Sequence, residues 1–250
     1  SGKPVTVPSQ DMTLGLYYLM CDPTYFPEKL KKKTKIFANK EEVIQALHAG
    51  GSFEWQDAKE GRLEYDGRGL HIHELIKLRS DSGIIETTPG RVVFNMIVPQ
   101  ELGFQNYQLP KKRLSELVLE CYKKLGLEVT VRFLDNLKNL GFKESTKAAV
   151  SMGVCDVRVP DTKKKILDRA QAKVDVVRKQ YEDGIITEGE RHSKIVTMWT
   201  EACEELSEEL FKLLTEVQDS RLNPLLMMME SGARDNKSQV KQLGAFRALM

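Results

Sequence analysis

The sequence predicts an α+β fold, predominantly helical, with a small mixed α/β body and a protruding antiparallel coiled-coil hairpin. Three observations predict it. Residues 1–159 mix short helical and strand-like stretches punctuated by Gly and Pro. From Pro160 the pattern turns into two apolar seams with steps of three and four residues. A tight Glu182-Asp183-Gly184 break separates those seams, as a helical hairpin requires. The expected division is therefore 1–159 and 160–250, with the hairpin at about 161–214.

The elements follow in order. "VPSQDMTLGLYYLM" (7–20) reads as a helix capped by Ser9 or Asp11, with Leu14, Tyr17 and Tyr18 one turn apart. "NKEEVIQALHAGG" (39–51) reads as a short amphipathic helix capped by Asn39 and stopped by two glycines. In 63–79 an Asp66-Gly67 turn is followed by alternation, which predicts strands and sets His71 and His73 on one strand face. "TTPGRVVFNMIVP" (87–99) predicts a Pro-Gly turn and then a buried strand. Two short helices are expected at about 111–125 and 129–140. In the hairpin, the first seam is Leu167, Ala170, Val174, Val177 and Tyr181. Thr187 and Glu190 form a capping box that opens the second helix, whose seam is His192, Ile195, Trp199, Ala202 and Leu206. Trp199 reads as core. After it, "MMMESGARDNKSQVKQL" (227–243) runs from an apolar ribbon through a small-residue turn holding Arg234 into a helical pattern carried by Val240 and Leu243.

Composition narrows the function. The 250 residues are 41% hydrophobic and 30% charged, and no apolar run approaches the roughly 18 residues of a membrane span, so a cytoplasmic protein is expected. Ser1-Gly2 reads as a tag remnant and Met250 as a cut end. A net charge of +2 gives no case for nucleic-acid binding on its own, and the basic groups Lys31-Lys32-Lys33, Lys111-Lys112-Arg113 and Lys163-Lys164-Lys165 read as solvated faces. Cys21, Cys121, Cys155 and Cys203 are far apart and suit reduced thiols. No metal site is expected, and no nucleotide-binding or hydrolase motif is present. No catalytic residue is assigned to the chain. From the residues alone, Arg234 reads as a surface arginine in a helix-capping turn.

The stretches "VPSQDMTLGLYYLM", "ETTPGRVVFNMIVPQELGF", "TVRFLDNLKNLGF", "GVCDVRVP", "DGIITEGERHSKIVTMW" and "NPLLMMMESGARDNKSQVKQLGAFRALM" resemble, in family order, the β′ subunit of bacterial RNA polymerase. The match is weak over about 22–85. The resemblance implies that 1–159 is a pore-like region, with the end of the active-site barrel domain at about 1–20. It likewise implies that 160–250 is funnel-like, with 223–250 returning to the active centre. Both regions would wall the secondary channel of a DNA-directed RNA polymerase, a nucleotidyltransferase whose Mg2+ is bound by residues outside this segment.

By the same resemblance Arg234 contacts the incoming nucleoside triphosphate, supported by Gln10, Gln239 and Gln242. The hairpin is the rim coiled coil, and its tip residues Asp183, Glu188, Glu190, Arg191 and Lys194 dock Gre-type channel factors. The implied partners are the β, α, ω and σ subunits, with DNA and RNA only in the assembled enzyme. The chain departs from the family at Asp235, where glycine is usual. An alarmone site is expected to be absent because Glu128 and Asn139 replace a lysine and a tyrosine beside Asp135. At the rim, only Lys194 of an asparagine-lysine pair is kept, after Ser193. The alternative from another class is a free-standing coiled-coil interaction module.

Overall fold

The structure, a computed structural model, describes residues 6–25, 35–49, 70–80, 83–215, 223–234 and 237–247. The chain forms two compact units: Ser1–Ser151 with Val217–Arg234, and Met152–Glu216 with Asp235–Met250.

In the first unit α1 (Asp11–Leu19) is buried along most of its length. Neither Ser9 nor Asp11 caps it, contrary to expectation. Gln10 holds the cap position at φ 51°, and the Thr13 hydroxyl ties the turn by donating to the Pro8 carbonyl at 3.0 Å. The helix lies against α4 (Lys111–Ala148) at glycine-to-glycine contact, since a Cβ at Gly15 would stand 2.1 Å from the Gly141 carbonyl oxygen. The two helices expected at 111–125 and 129–140 are the two halves of α4. They part at Gly126, whose φ of 79° interrupts the helical backbone, and the second half runs on to Ala148. Leu16, Leu19, Met20, Phe94, Leu114, Phe133 and Leu137 share one core.

A three-stranded sheet carries the second cluster. β1 (Lys35–Phe37) pairs parallel with β2 (Ile76–Ser80), which pairs antiparallel with β3 (Gly83–Thr87). Phe37, Ile76 and Leu78 pack with Val43 of α2 (Lys40–Ala49), whose first turn is capped by Asn39 accepting from the Glu42 N–H at 2.8 Å. The Asp66-Gly67 turn and the two glycines expected to stop α2 lie outside the described residues.

Two further expectations for this unit are overturned. His71 and His73 are not on a strand: they sit in a turn, where His71 Nδ1 accepts from the His73 N–H at 3.1 Å. Residues 89–95 are not a strand either, but α3 (Pro89–Asn95). Thr88 accepts from the Arg91 N–H and Pro89 takes the first turn, so what reads as a Pro-Gly turn is a helix start. Burial on nearly all sides hides the helical period that would have betrayed it.

The second unit is built on α5 (Lys163–Glu182) and α6 (Glu188–Thr215), packed as a hairpin with Arg169 ion-paired to Glu205 across it. Its seam differs in part from the expected one. In α5 Ile166, Ala170, Val174 and Val177 are buried, while Leu167 is half-buried and Tyr181 exposed. In α6 the burial runs through Ala202, Leu206, Leu210 and Leu214, and His192 is exposed. At about 100° per residue, Ile166 lies about 40° around the helix from Ala170 and Leu167 about 60°, so a step of four keeps Ile166 nearer the buried face. Trp199 is half-buried with its ring 5.5 Å from that of Phe246. After α8 (Lys237–Val240) comes a π-helical turn (Lys241–Ala245), closed by the Phe246 N–H on the Lys241 carbonyl. The widened turn leaves Leu243 60% exposed, so of the two residues expected to carry the pattern only Val240 is buried.

Candidate functional site

The turn that holds Arg234 follows α7 (Pro224–Ser231) in the first unit. Asn223 caps that helix by accepting from the Leu225 N–H at 2.9 Å, and Pro224 supplies a fixed φ to its first turn. Leu225, Leu226 and Met227 are buried. Gly232 ends the helix at φ 68°, a left-handed conformation that costs a side-chain-bearing residue about 1 kcal/mol or more. Its N–H donates to the Met229 carbonyl at 3.2 Å. Ser231 braces the same turn: its hydroxyl donates to the Met228 carbonyl at 3.0 Å and accepts from the Ala233 N–H at 3.2 Å. The Arg234 N–H donates to that Met228 carbonyl at 3.4 Å. The backbone of Ser231-Gly232-Ala233-Arg234 is thus fixed by local hydrogen bonds, while the Arg234 side chain is exposed with no ion-pair partner among the described residues.

The last turn of α7 is also pinned from outside. Tyr17, 1% exposed, donates its hydroxyl to Glu230 Oε2 at 2.7 Å, and Gln108 Nε2 donates to the Tyr17 oxygen at 2.6 Å. Tyr25 donates to the same carboxylate oxygen at 3.5 Å. Burial, then the hydrogen bond to Glu230, pushes the Tyr17 phenol far above its usual range, which keeps it a proton donor. Cys21, next to this cluster, is pushed up to about 12 by burial and stays a thiol.

Of the supporting residues, Gln10 is exposed and held at positive φ, a strained backbone of the kind that clusters at working sites. Gln239 and Gln242 are exposed and belong to the second unit, whereas Arg234 belongs to the first. The hairpin tip is tightly built. The Ile185 N–H bonds the Gln180 carbonyl and the Gly184 N–H the Tyr181 carbonyl, with Gly184 at φ 72°, which is a Schellman motif. The capping box forms as expected: Glu190 Oε2 accepts from the Thr187 N–H at 2.9 Å, and the Glu190 N–H donates to the Thr187 hydroxyl at 3.4 Å. The Thr187 hydroxyl also donates to Glu190 Oε2 at 3.0 Å, and the backbone and side-chain bonds from Thr187 hold the Glu190 carboxyl below the usual glutamate range, with Lys194 adding to the effect. Arg191 lies 4.7 Å over the Tyr181 ring and pairs with Glu188 at 3.5 Å. Asp183, Glu188 and Lys194 remain exposed.

Residues 1–157 match the family described as RNA polymerase Rpb1, domain 3, and residues 186–250 match RNA polymerase Rpb1, domain 4. The chain belongs to this family. It is 65% identical over 256 residues to the DNA-directed RNA polymerase subunit beta' of Protochlamydia amoebophila (strain UWE25), an alignment covering 100% of this chain and 18% of that protein. The same subunits of Chlamydia pneumoniae and Chlamydia muridarum (strain MoPn / Nigg) are each 62% identical over 250 residues, with the same coverage. The chain spans about a fifth of the length of these polymerase relatives, 18% in each case. Membership in a polymerase subunit family, at full coverage of the chain, speaks against a free-standing coiled-coil module.

Within the polymerase segment, sequence reasoning missed two features beside Arg234. The clamp of Tyr17, Gln108 and Glu230 is one; its only local trace is a carboxylate ending the apolar ribbon "PLLMMME". Lys111 is the other. It opens α4 close to Gly232, where an added Cβ would meet the lysine Cβ at 3.3 Å and its Cδ at 4.0 Å, so the aliphatic stem of this lysine packs beside the turn.

Proposed function

We propose that this segment serves transcription as part of the channel wall through which nucleoside triphosphates reach the active centre of a DNA-directed RNA polymerase. Arg234 grips the incoming triphosphate there. The observation that carries the reading is the exposed Arg234 guanidinium on a backbone fixed by Ser231 and Gly232. A guanidinium stays charged and meets phosphate oxygens with a fork of donors, and a fixed turn lowers the ordering cost of each encounter.

The reaction is attack of the RNA 3′ hydroxyl on the α-phosphorus with loss of pyrophosphate. In this reading its Mg2+ is held by residues outside this segment. The β, α, ω and σ subunits complete the enzyme, which meets DNA and RNA once assembled in the cytoplasm. No described helix is long and apolar enough to cross a membrane.

Single-nucleotide addition on a preformed elongation complex tests the reading. Arg234→Ala in the full enzyme lowers kcat/KM for the nucleotide about 10- to 100-fold, the worth of a charge-assisted contact, while DNA binding holds. Arg234→Lys recovers part, keeping the charge and losing the fork. An unchanged rate and apparent affinity for Arg234→Ala overturns it.

The hairpin tip docks Gre-type factors in this reading, supported by exposed charges at Asp183, Glu188 and Lys194 on a doubly capped turn. Charge reversal at Asp183 or Glu188 weakens factor binding with helicity intact. An equal loss of helicity makes the tip purely structural and defeats the docking role.

A further inference from the structure

We propose that Gln108, Tyr17 and Glu230 are positioning residues for nucleotide binding, acting as a polar clamp that sets the Arg234 turn. The proposal rests on the reading of Arg234 as the triphosphate contact and adds the device that holds it in register.

The α7 helix reaches its C-terminus through an apolar face, and apolar packing alone leaves small rotations and slides nearly free. Glu230 interrupts that face in the final turn, immediately before the bracing residue Ser231. Its carboxylate receives the Tyr17 hydroxyl at 2.7 Å, and the Tyr17 oxygen receives the Gln108 amide at 2.6 Å. Each bond is short and directional. The order of donors is forced: the amide N–H donates to the phenol oxygen, whose own hydrogen is then committed to the carboxylate. Tyr17 stands on α1, which Gly15 and Gly141 hold at van der Waals contact with α4, so the anchor is itself rigid. Tyr25 adds a longer contact of 3.5 Å to the same oxygen.

The chemistry favours a positioning role over simple stabilisation. A buried tyrosine hydroxyl and glutamine amide need only some partner, and backbone carbonyls would serve. Here the hydroxyl is spent on a carboxylate four residues before Arg234, and the amide on that hydroxyl's own oxygen. An ångström of drift in that turn misplaces the guanidinium fork against a phosphate and weakens its hold on the nucleotide.

The test uses the complete polymerase with substitutions in its full-length subunit, reading single-nucleotide addition across nucleotide concentrations. Tyr17→Phe and, separately, Glu230→Ala raise the apparent KM about 3- to 10-fold, with the rate at saturating nucleotide nearly kept. Glu230→Gln, which still accepts from Tyr17, restores most of the affinity. Combined with Arg234→Ala, neither substitution adds a further loss, because the clamp acts only through the arginine. Losses that add to that of Arg234→Ala, a fall in maximal rate at constant KM, or unaltered kinetics each overturn the clamp while leaving the arginine's own role standing. If Arg234→Ala itself leaves both the rate and KM unchanged, the triphosphate reading fails first and the clamp fails with it. Should Tyr17→Phe not assemble, Gln108→Leu and Glu230→Gln carry the same comparison.

Discussion

Replacing Gly15 by alanine sets two effects of opposite sign against each other. Gly15 lies inside α1, where alanine is favoured over glycine by about 1 kcal/mol on helix propensity alone. The structure sets a larger opposing cost. The new Cβ would stand 2.1 Å from the Gly141 carbonyl oxygen and 2.6 Å from the Ser145 nitrogen, both backbone atoms. Relief requires α1 and α4 to part by roughly 1 Å, and a gap of that size forfeits a quarter to a half of each contact it opens. Leu16, Leu19 and Met20 of α1 and its cap share one core with Phe133 and Leu137 of α4, so the loss spreads over several fully buried side chains. Overpacking typically costs about 1–3 kcal/mol and here, against backbone atoms, falls at the upper end, leaving a net destabilisation of about 1–2 kcal/mol. Urea unfolding followed by circular dichroism reads it. Gly189→Ala is the internal control: a Cβ there meets nothing within 4 Å, so that variant gains a few tenths of a kcal/mol, up to about 1. A Gly15→Ala chain as stable as the parent, or more so, refutes the close helix crossing.

The hairpin supplies an ordering test and a titration. Val174→Asp buries a charge at a site 1% exposed and costs at least about 3 kcal/mol, whereas Leu167→Asp, at a half-buried site, costs less; the reverse order in urea melts rejects the observed seam. The Glu190 carboxyl is depressed in the folded state, so its capping contribution is complete above the ordinary glutamate range and is lost as pH falls through the lower folded value. An NMR titration of Glu190 sees that low value. Thr187→Val moves it part-way back, since the residue-187 N–H remains, and an unmoved titration refutes the hydroxyl's share.

The parts of the fold legible in the sequence are those whose signal is local. Thr187 and Glu190 are three residues apart and announce their box, Gly184 announces its turn, and the α5 and α6 period survives because one face of each helix is solvated. The failures have the complementary cause. α3 is buried nearly all round, so the β-branched run "RVVF" imitates a strand, and only Thr88 followed by Pro89 records the helix start. His71 and His73 sit in a turn fixed by a side-chain acceptor, which alternation cannot register. The π-turn at 241–245 breaks a pattern that continues smoothly in the letters, turning Leu243 outward.

Arg234 stands out in the sequence and its surroundings do not, for the same physical cause. Its small neighbours are adjacent in the chain, and glycine is selected there by backbone conformation, a demand visible at one position. The clamp joins Gln108 to Tyr17 across 91 residues and Tyr17 to Glu230 across 213, and each residue taken alone has an ordinary explanation. What turns them into one device is the return of residues 217–234 to the first unit after the hairpin unit has been built. That return needs anchoring, because α7 is only eight residues long and helices of such length are unstable without tertiary contacts. Apolar burial of Leu225, Leu226 and Met227 supplies the attraction, but it fixes neither rotation nor register. A directional bond from a buried phenol to Glu230 does, one residue before the turn whose geometry the arginine depends on.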